Sequence, residues 1–235
     1  MGDRVNSRGK EMSKKKLLIN ALVKFLLGGV MIGALLFLPA WTVRYPGGWL
    51  FMALLLIPTA IMGVVLLIKA PDLLEKRLSD KENEATQKGV VALSGLMFLF
   101  GFVLPSLDFR FGWSSVPLWV TVVSSVLFLA GYAMFAEVLR ENAYLSRTVE
   151  VQKGQKVIST GLYGVVRHPM YMATLLMFLP MPLILGSFWG LIPLAVYPVV
   201  IAVRIVNEEK VLTEGLEGYA EYKTRVKYRL VPFIW

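Results

Sequence analysis

The chain has 235 residues, 56% of them hydrophobic and 17% charged, with a formal net charge of +9 and a mean hydropathy of +0.62. Its apolar residues fall into long blocks rather than amphipathic stripes, the pattern of an integral membrane protein. Cys is absent and His occurs once, which excludes disulfides, thiolate metal sites and a cysteine nucleophile and leaves little scope for a histidine-rich metal centre.

A basic N-terminal stretch, residues 1–16, precedes the first apolar block. Six blocks follow in order: Leu17 to Leu38, Trp49 to Ile68, Gly89 to Leu107, Val116 to Val138, Tyr171 to Leu185 and Ser187 to Val206. Most match the roughly 20 residues that a helix needs to cross the hydrocarbon core. The first follows Lys14, Lys15 and Lys16 as a signal peptide would. It is longer than a signal h-region, and Trp41-Thr42-Val43 offers no A-x-A-like cleavage site, so a retained helix is expected. The fifth is shorter, carries Pro180 and Pro182, and is joined to the sixth through Gly186-Ser187. The pair predicts a tight helical hairpin and leaves open whether its first arm crosses completely. The expected fold is thus an all-α membrane protein of about six transmembrane helices. Residues 17–136 form its N-terminal helices, and residues 137–235 form a second region with a cytoplasmic pocket and a C-terminal cytoplasmic helix.

Orientation follows from Lys and Arg. Cations crowd the N-terminus (Arg4, Arg8, Lys10, Lys14–Lys16), the second loop (Lys69, Lys76, Arg77, Lys81, Lys88), the fourth (Arg140, Arg147, Lys153, Lys156, Arg167) and the tail (Lys210, Lys223, Arg225, Lys227, Arg229), while the other side holds Arg44 and Arg110. The bias predicts cytoplasmic termini. Because these cations sit in short loops beside apolar segments, membrane lipid headgroups rather than nucleic acid are the expected counterpart.

Polar residues concentrate in two places. One is the long connection EVLRENAYLSRTVEVQKGQKVISTGLYGVVRHP from Glu137 to Pro169; connections of this length are more often functional than incidental. Pro169 restricts the residue before it, so Arg167 and His168 are expected on a bend just ahead of a helix starting near Met170. No G-x-G-x-x-G opens a helix after a strand there, which argues against a Rossmann nucleotide site. The other place is the end of the sixth block, VRIVNEEKVLTEGLEGYAEYKTRV. Arg204 and Glu208 are four apart and share a helical face, while Glu209 points about 100° away. Ionisable residues inside an apolar run are functional candidates by default. Glu209, followed by Lys210, reads equally as a solvated face. Tyr219 and Tyr222 stand at helical spacing. Tyr228, Phe233 and Trp235 read as interfacial anchors, and Arg225 and Arg229 as headgroup or ligand contacts.

From about Glu137 to Trp235 the chain resembles the isoprenylcysteine carboxyl methyltransferase family, part of a wider group with phospholipid N-methyltransferases that use S-adenosyl-L-methionine at the membrane. The resemblance rests on S-T-G-L-Y-G-V-V-R-H-P-M-Y, on E-E-K-V-L beginning at Glu208, and on Y-A-E-Y-K-T-R-V before a proline-containing end. It implies a cofactor held by Gln155, Lys156, Val157 and Ile158, by Tyr163, by His168, Pro169, Met170 and Tyr171, and by Glu208 with Glu209. It also implies an Arg204 that faces a lipophilic or prenylated acceptor, with Arg167 supporting the same pocket. Glu150 is the expected polar cofactor contact upstream of Gln155. Where the family often has F-G ahead of the acidic-Tyr stretch, this chain has Leu216-Glu217-Gly218. R-H-P-x-Y is shared with membrane sterol reductases, so an NADPH-dependent reductase is the alternative enzyme and a non-enzymatic membrane protein the third possibility.

Overall fold

The computed structural model describes residues 13–78, 85–142, 144–145, 151–152 and 154–235, the side chains of 85–91 excepted. Arg4, Arg8, Lys10, Lys81, Arg147, Glu150 and Lys153, all named in the sequence reading, lie outside the described residues. Among the described residues there are helices and no strands: α1 (Lys14–Ala40), α2 (Pro46–Lys69), α3 (Pro71–Leu78), α4 (Ala85–Phe111), α5 (Leu118–Glu141), α6 (Pro169–Phe178), α7 (Met181–Ile184), α8 (Leu191–Leu194), α9 (Tyr197–Gly215) and α10 (Tyr219–Arg225). Pro46, Pro71 and Pro169 each open a helix at its first position, where a missing N–H leaves no bond unmade.

Five stretches are long and apolar enough to cross a membrane: Lys14–Ala40, Pro46–Lys69, Ala92–Phe111, Leu118–Glu141 and Leu191–Gly215. Their apolar side chains face outward; Leu27, Val30, Ile68 and Leu118 are all exposed, as lipid-facing residues are. Five of the six apolar blocks are therefore long enough for a full crossing. The exception is the fifth apolar block, which spans Pro169–Ile184 and is split into α6 and α7 at Leu179 and Pro180. Pro180 and Pro182 supply no N–H to the turn before them. At ~1.5 Å per residue the stretch reaches about 24 Å, short of a core of about 30 Å.

The chain reverses through residues 185–190, where Gly186 has φ +84°. From there α6 packs chiefly along α5, and α8 and α9 lean on α4. Gly131 makes the α5 crossing possible, since a Cβ there would lie 2.8 Å from the Ala173 carbonyl and from Met177. α6 and α9 meet through Phe178 and Tyr197, whose rings are 5.8 Å apart and nearly perpendicular, and through Tyr171. The core between them holds Leu36, Phe51, Phe128, Met181, Leu194 and Ile205.

The second inter-helix connection is more structured than a loop. In α3, Leu73 and Leu74 are buried against Leu17, Leu66 and Leu139, and Lys24 Nζ donates to the Leu78 carbonyl at 2.7 Å, a cation on a helix C-terminus. At the opposite end of the bundle, Asp108 is buried near the end of α4. Its Oδ1 accepts from Ser114 N (2.7 Å), and its Oδ2 from the hydroxyls of Ser114 and Ser187. One carboxylate thus staples the α4–α5 and α7–α8 connections. Asp108→Ala is expected to cost about 2–3 kcal/mol, because three donors lose a charged acceptor. A fall in the thermal unfolding midpoint in detergent, with the specific activity of the folded fraction retained, checks this.

Candidate active site

The site assembles where α5 ends, α6 begins and α9 ends. At the close of α5, Glu141 Oε2 accepts from Leu162 N at 3.2 Å and so anchors the 3₁₀ turn Gly161–Gly164. Gly161 is required there: its φ is +52°, and a Cβ would coincide with the Glu141 carboxylate. The next residue, Asn142, donates from Nδ2 to the Tyr163 hydroxyl at 2.8 Å. The stretch Gln155–Ile158 is irregular chain. Val157 packs on Leu216, Tyr219 and Tyr222, and Gln155 spends its side-chain oxygen on Gln152 N (2.9 Å).

Arg167 and His168 form the bend expected ahead of Pro169. His168 is the residue before α6 (φ −125°, ψ 61°), and its carbonyl accepts from Tyr171 N and Met172 N. One turn into the helix, Tyr171 reaches α9: Arg204 Nε donates to the Tyr171 hydroxyl at 2.9 Å, and that hydroxyl donates to Glu208 Oε2 at 2.5 Å. The i,i+4 pair on α9 is therefore bridged by a phenol from another helix, a polar relay inside an apolar setting. Leu212, another four residues on, continues the same face into the cleft.

Glu209 lies round the helix and has a different surrounding. It is 3% exposed, so the solvated-face reading is corrected. Its Oε1 accepts from Arg167 Nε at 2.6 Å and lies 3.3 Å from His168 Nε2, and its Oε2 accepts from Arg229 Nε at 2.9 Å. The 100° offset from Glu208 turns it away from the cleft and into the seam between α9, the Arg167–His168 bend and residues 226–229. Arg167 completes the seam, donating from Nη1 to the carbonyls of Val226 (2.7 Å) and Lys227 (2.9 Å).

These elements enclose an open cleft of about 850 Å³, part of it solvent. Of the expected site residues, Gln155, Lys156, Val157, Ile158, Tyr163, Arg167, His168, Met170, Tyr171, Arg204 and Glu208 line it. Pro169 and Glu209 do not: Pro169 is buried as the first residue of α6, and Glu209 is consumed by the seam. Sequence reasoning missed Asn142, Tyr144, Leu145, Leu212, Leu216, Tyr219 and Tyr222 as cleft walls. The helical spacing of the last two was visible, but the face that they turn inward was not.

Outside the apolar spans, burial keeps the cleft tyrosines neutral. Burial pushes the Tyr163 phenol up to about 12, its bond from Asn142 pulling the other way, and burial next to the Glu209 and Glu208 charges raises Tyr219 further. Among the described residues, the Tyr219 hydroxyl is one of two buried polar groups without a partner. A phenol whose folded value exceeds its unfolded 10.0 contributes stability that is intact below pH 10 and is lost as pH rises toward 12. Tyr163→Phe should remove one late tyrosinate transition from an absorbance titration. It should also lessen the alkaline stability loss by about 2–3 kcal/mol, at ~1.4 kcal/mol per unit.

Residues 119–217 match the phospholipid methyltransferase family. The match runs from α5 to just past α9, and so takes in the 3₁₀ turn, the Arg167–His168 bend, Tyr171, Arg204 and Glu208. The matched region falls in the wider phospholipid and isoprenylcysteine methyltransferase group. That similarity to a methyltransferase family lies in a chain with five stretches long and apolar enough to cross a membrane.

Proposed function

We propose that the protein is an S-adenosyl-L-methionine-dependent methyltransferase that esterifies the carboxylate of an isoprenylcysteine-like or other lipophilic acceptor. The observation that carries this reading is the Arg204–Tyr171–Glu208 relay facing a cleft at the end of an apolar bundle. The cleft suits the cofactor. Glu208 offers a carboxylate to an ammonium or a ribose hydroxyl; neutral tyrosine rings offer faces to an adenine or a cationic sulfur, and the unpartnered Tyr219 hydroxyl offers a donor to an adenine nitrogen. When bound, S-adenosyl-L-methionine supplies a methyl group on a sulfonium, open to in-line displacement.

The residues then have little proton chemistry to perform. A carboxylate with an ordinary pKa near 4 is already ionised at neutral pH, so no general base is needed. Arg204 grips the acceptor carboxylate and aligns one oxygen, and its bond to Tyr171 holds the guanidinium at the cleft wall. Positioning of this kind, with water excluded, supplies most of what a bimolecular displacement needs. Lys156, exposed at the rim, and the acidic Glu208 give the cleft a cation side and an anion side.

Calorimetry in detergent with S-adenosylhomocysteine and NADPH, run side by side, tests the reading. Saturable binding of the adenosyl ligand alone is expected. Binding of NADPH alone would favour the reductase, and binding of neither a non-enzymatic protein.

A further inference from the structure

Residues 226–235 do not simply lie on the membrane surface as anchors. Their backbone pairs with the bend that opens α6: Arg167 N donates to the Tyr228 carbonyl (2.9 Å) and His168 N to the Arg229 carbonyl (2.8 Å). Arg167 holds the carbonyls of Val226 and Lys227 from the side. Beyond Arg229 the chain closes on itself, with Leu230 N and Val231 N both donating to the Trp235 carbonyl. Leu230 is buried, and Val231 and Trp235 pack on the main core. The Arg229 guanidinium lies over the Trp235 ring, 5.1 Å from its centroid, while Nε engages Glu209.

The segment continues directly from the cleft wall. Leu216, Tyr219 and Tyr222 face the cleft and form one apolar cluster with Val226, and the Tyr222 hydroxyl donates to the Tyr163 carbonyl at 2.6 Å. The wall is thus tethered at one edge by α9 and at the other by residues 226–229.

We propose that residues 226–235 are a strap that holds the α10 wall against the cleft, with Arg229 on Glu209 as its fastening. Arg229 is the positioning residue of the pair. It touches no cleft group, and its side chain keeps 34% exposure against 4% for Glu209, so it can be changed without emptying the buried seam. Arg167, on the inner side, remains to neutralise Glu209. That the cleft holds an adenosyl cofactor is the reading given above; the strap itself does not depend on it.

Hydrogen exchange on the full chain in detergent, comparing wild type, Arg229→Gln and Arg229→Lys, separates the two. In Arg229→Gln, amide exchange over 216–235 and 163–168 is expected to quicken about tenfold, as loss of one charged hydrogen bond implies, with α1, α2 and α4 unchanged. Arg229→Lys restores most of the protection. S-adenosylhomocysteine affinity falls in parallel, and in turnover the loss appears in KM for the methyl donor rather than in kcat. Unchanged exchange at 216–222 in Arg229→Gln would overturn the strap, while faster exchange there, confined to 216–235 and 163–168, supports it whatever the cofactor affinity does. If wild type binds no adenosyl ligand, the cofactor reading fails and the exchange comparison alone decides the strap.

Discussion

Arg204→Ala is expected to lower kcat by about 10²–10³-fold, the usual cost of removing a preorganised charged donor from the reacting group. S-adenosylhomocysteine affinity should stay within about threefold of wild type, a change under ~1 kcal/mol. The asymmetry follows from the relay. Arg204 donates to the Tyr171 hydroxyl, and that hydroxyl in turn donates to Glu208. Removing the guanidinium leaves Tyr171 still bound to Glu208, so the carboxylate assigned to the cofactor keeps its partner. Glu208→Ala should show the reverse pattern, with a large loss of cofactor affinity. Tyr171→Phe sits between them, freeing both ends at once, and should weaken both parameters. Steady-state kinetics with calorimetry on the three variants checks the ordering; full activity in Arg204→Ala would remove the substrate-gripping role.

Glu209→Ala is expected to destabilise the fold by about 3–5 kcal/mol, the range for breaking a buried ion pair from one side. The carboxylate is 3% exposed, so solvent screens it little. Its loss leaves the almost fully buried Arg167 and His168 facing a vacated site, with Arg229 released as well. Glu209→Gln keeps an acceptor and the volume and should lose less than half as much. Thermal unfolding in detergent measures both. A Glu209→Ala midpoint equal to wild type would mean that the seam is held by the backbone pairing of 167–168 with 228–229 alone.

The contrast between the two glutamates shows what the sequence could carry. The spacing of Arg204 and Glu208 on one face, and the turn of Glu209 away from it, both follow from 3.6 residues per turn, and the structure keeps that geometry. What periodicity lacks is a partner. Nothing local says that Tyr171 fills the gap between Arg204 and Glu208, or that Arg229 comes from twenty residues downstream to bury Glu209, because those contacts are set by how α6, α9 and the strap pack. The bend at His168 was legible because Pro169 restricts its neighbour chemically. The hydrogen-bond partner of His168 was not.

The apolar spans tell the same story. Length and hydropathy locate the membrane helices, but Leu73 and Leu74 of α3 were hidden in a charged connection, where two leucines make too short a pattern to register. Asp108 was hidden because one acid near the end of an apolar run looks like a loop residue until Ser114 and Ser187 are brought to it. The cleft wall of Leu216, Tyr219 and Tyr222 was half visible: the helix could be read, but not the burial of its aromatic face against Val157.

Methyl transfer to a lipid-borne carboxylate, the activity proposed for this protein, leaves a product that mild base cleaves. Full-length protein in lipid–detergent micelles is incubated with methyl-labelled S-adenosyl-L-methionine and a prenylated cysteine derivative bearing a free carboxylate. The label is then partitioned into organic extract and treated with mild base. The proposed carboxyl methylation gives protein-dependent label that base releases as methanol, as a methyl ester requires, and that falls to near background with Arg204→Ala. No transferred label, or label that survives base as an N-methyl product would, contradicts it.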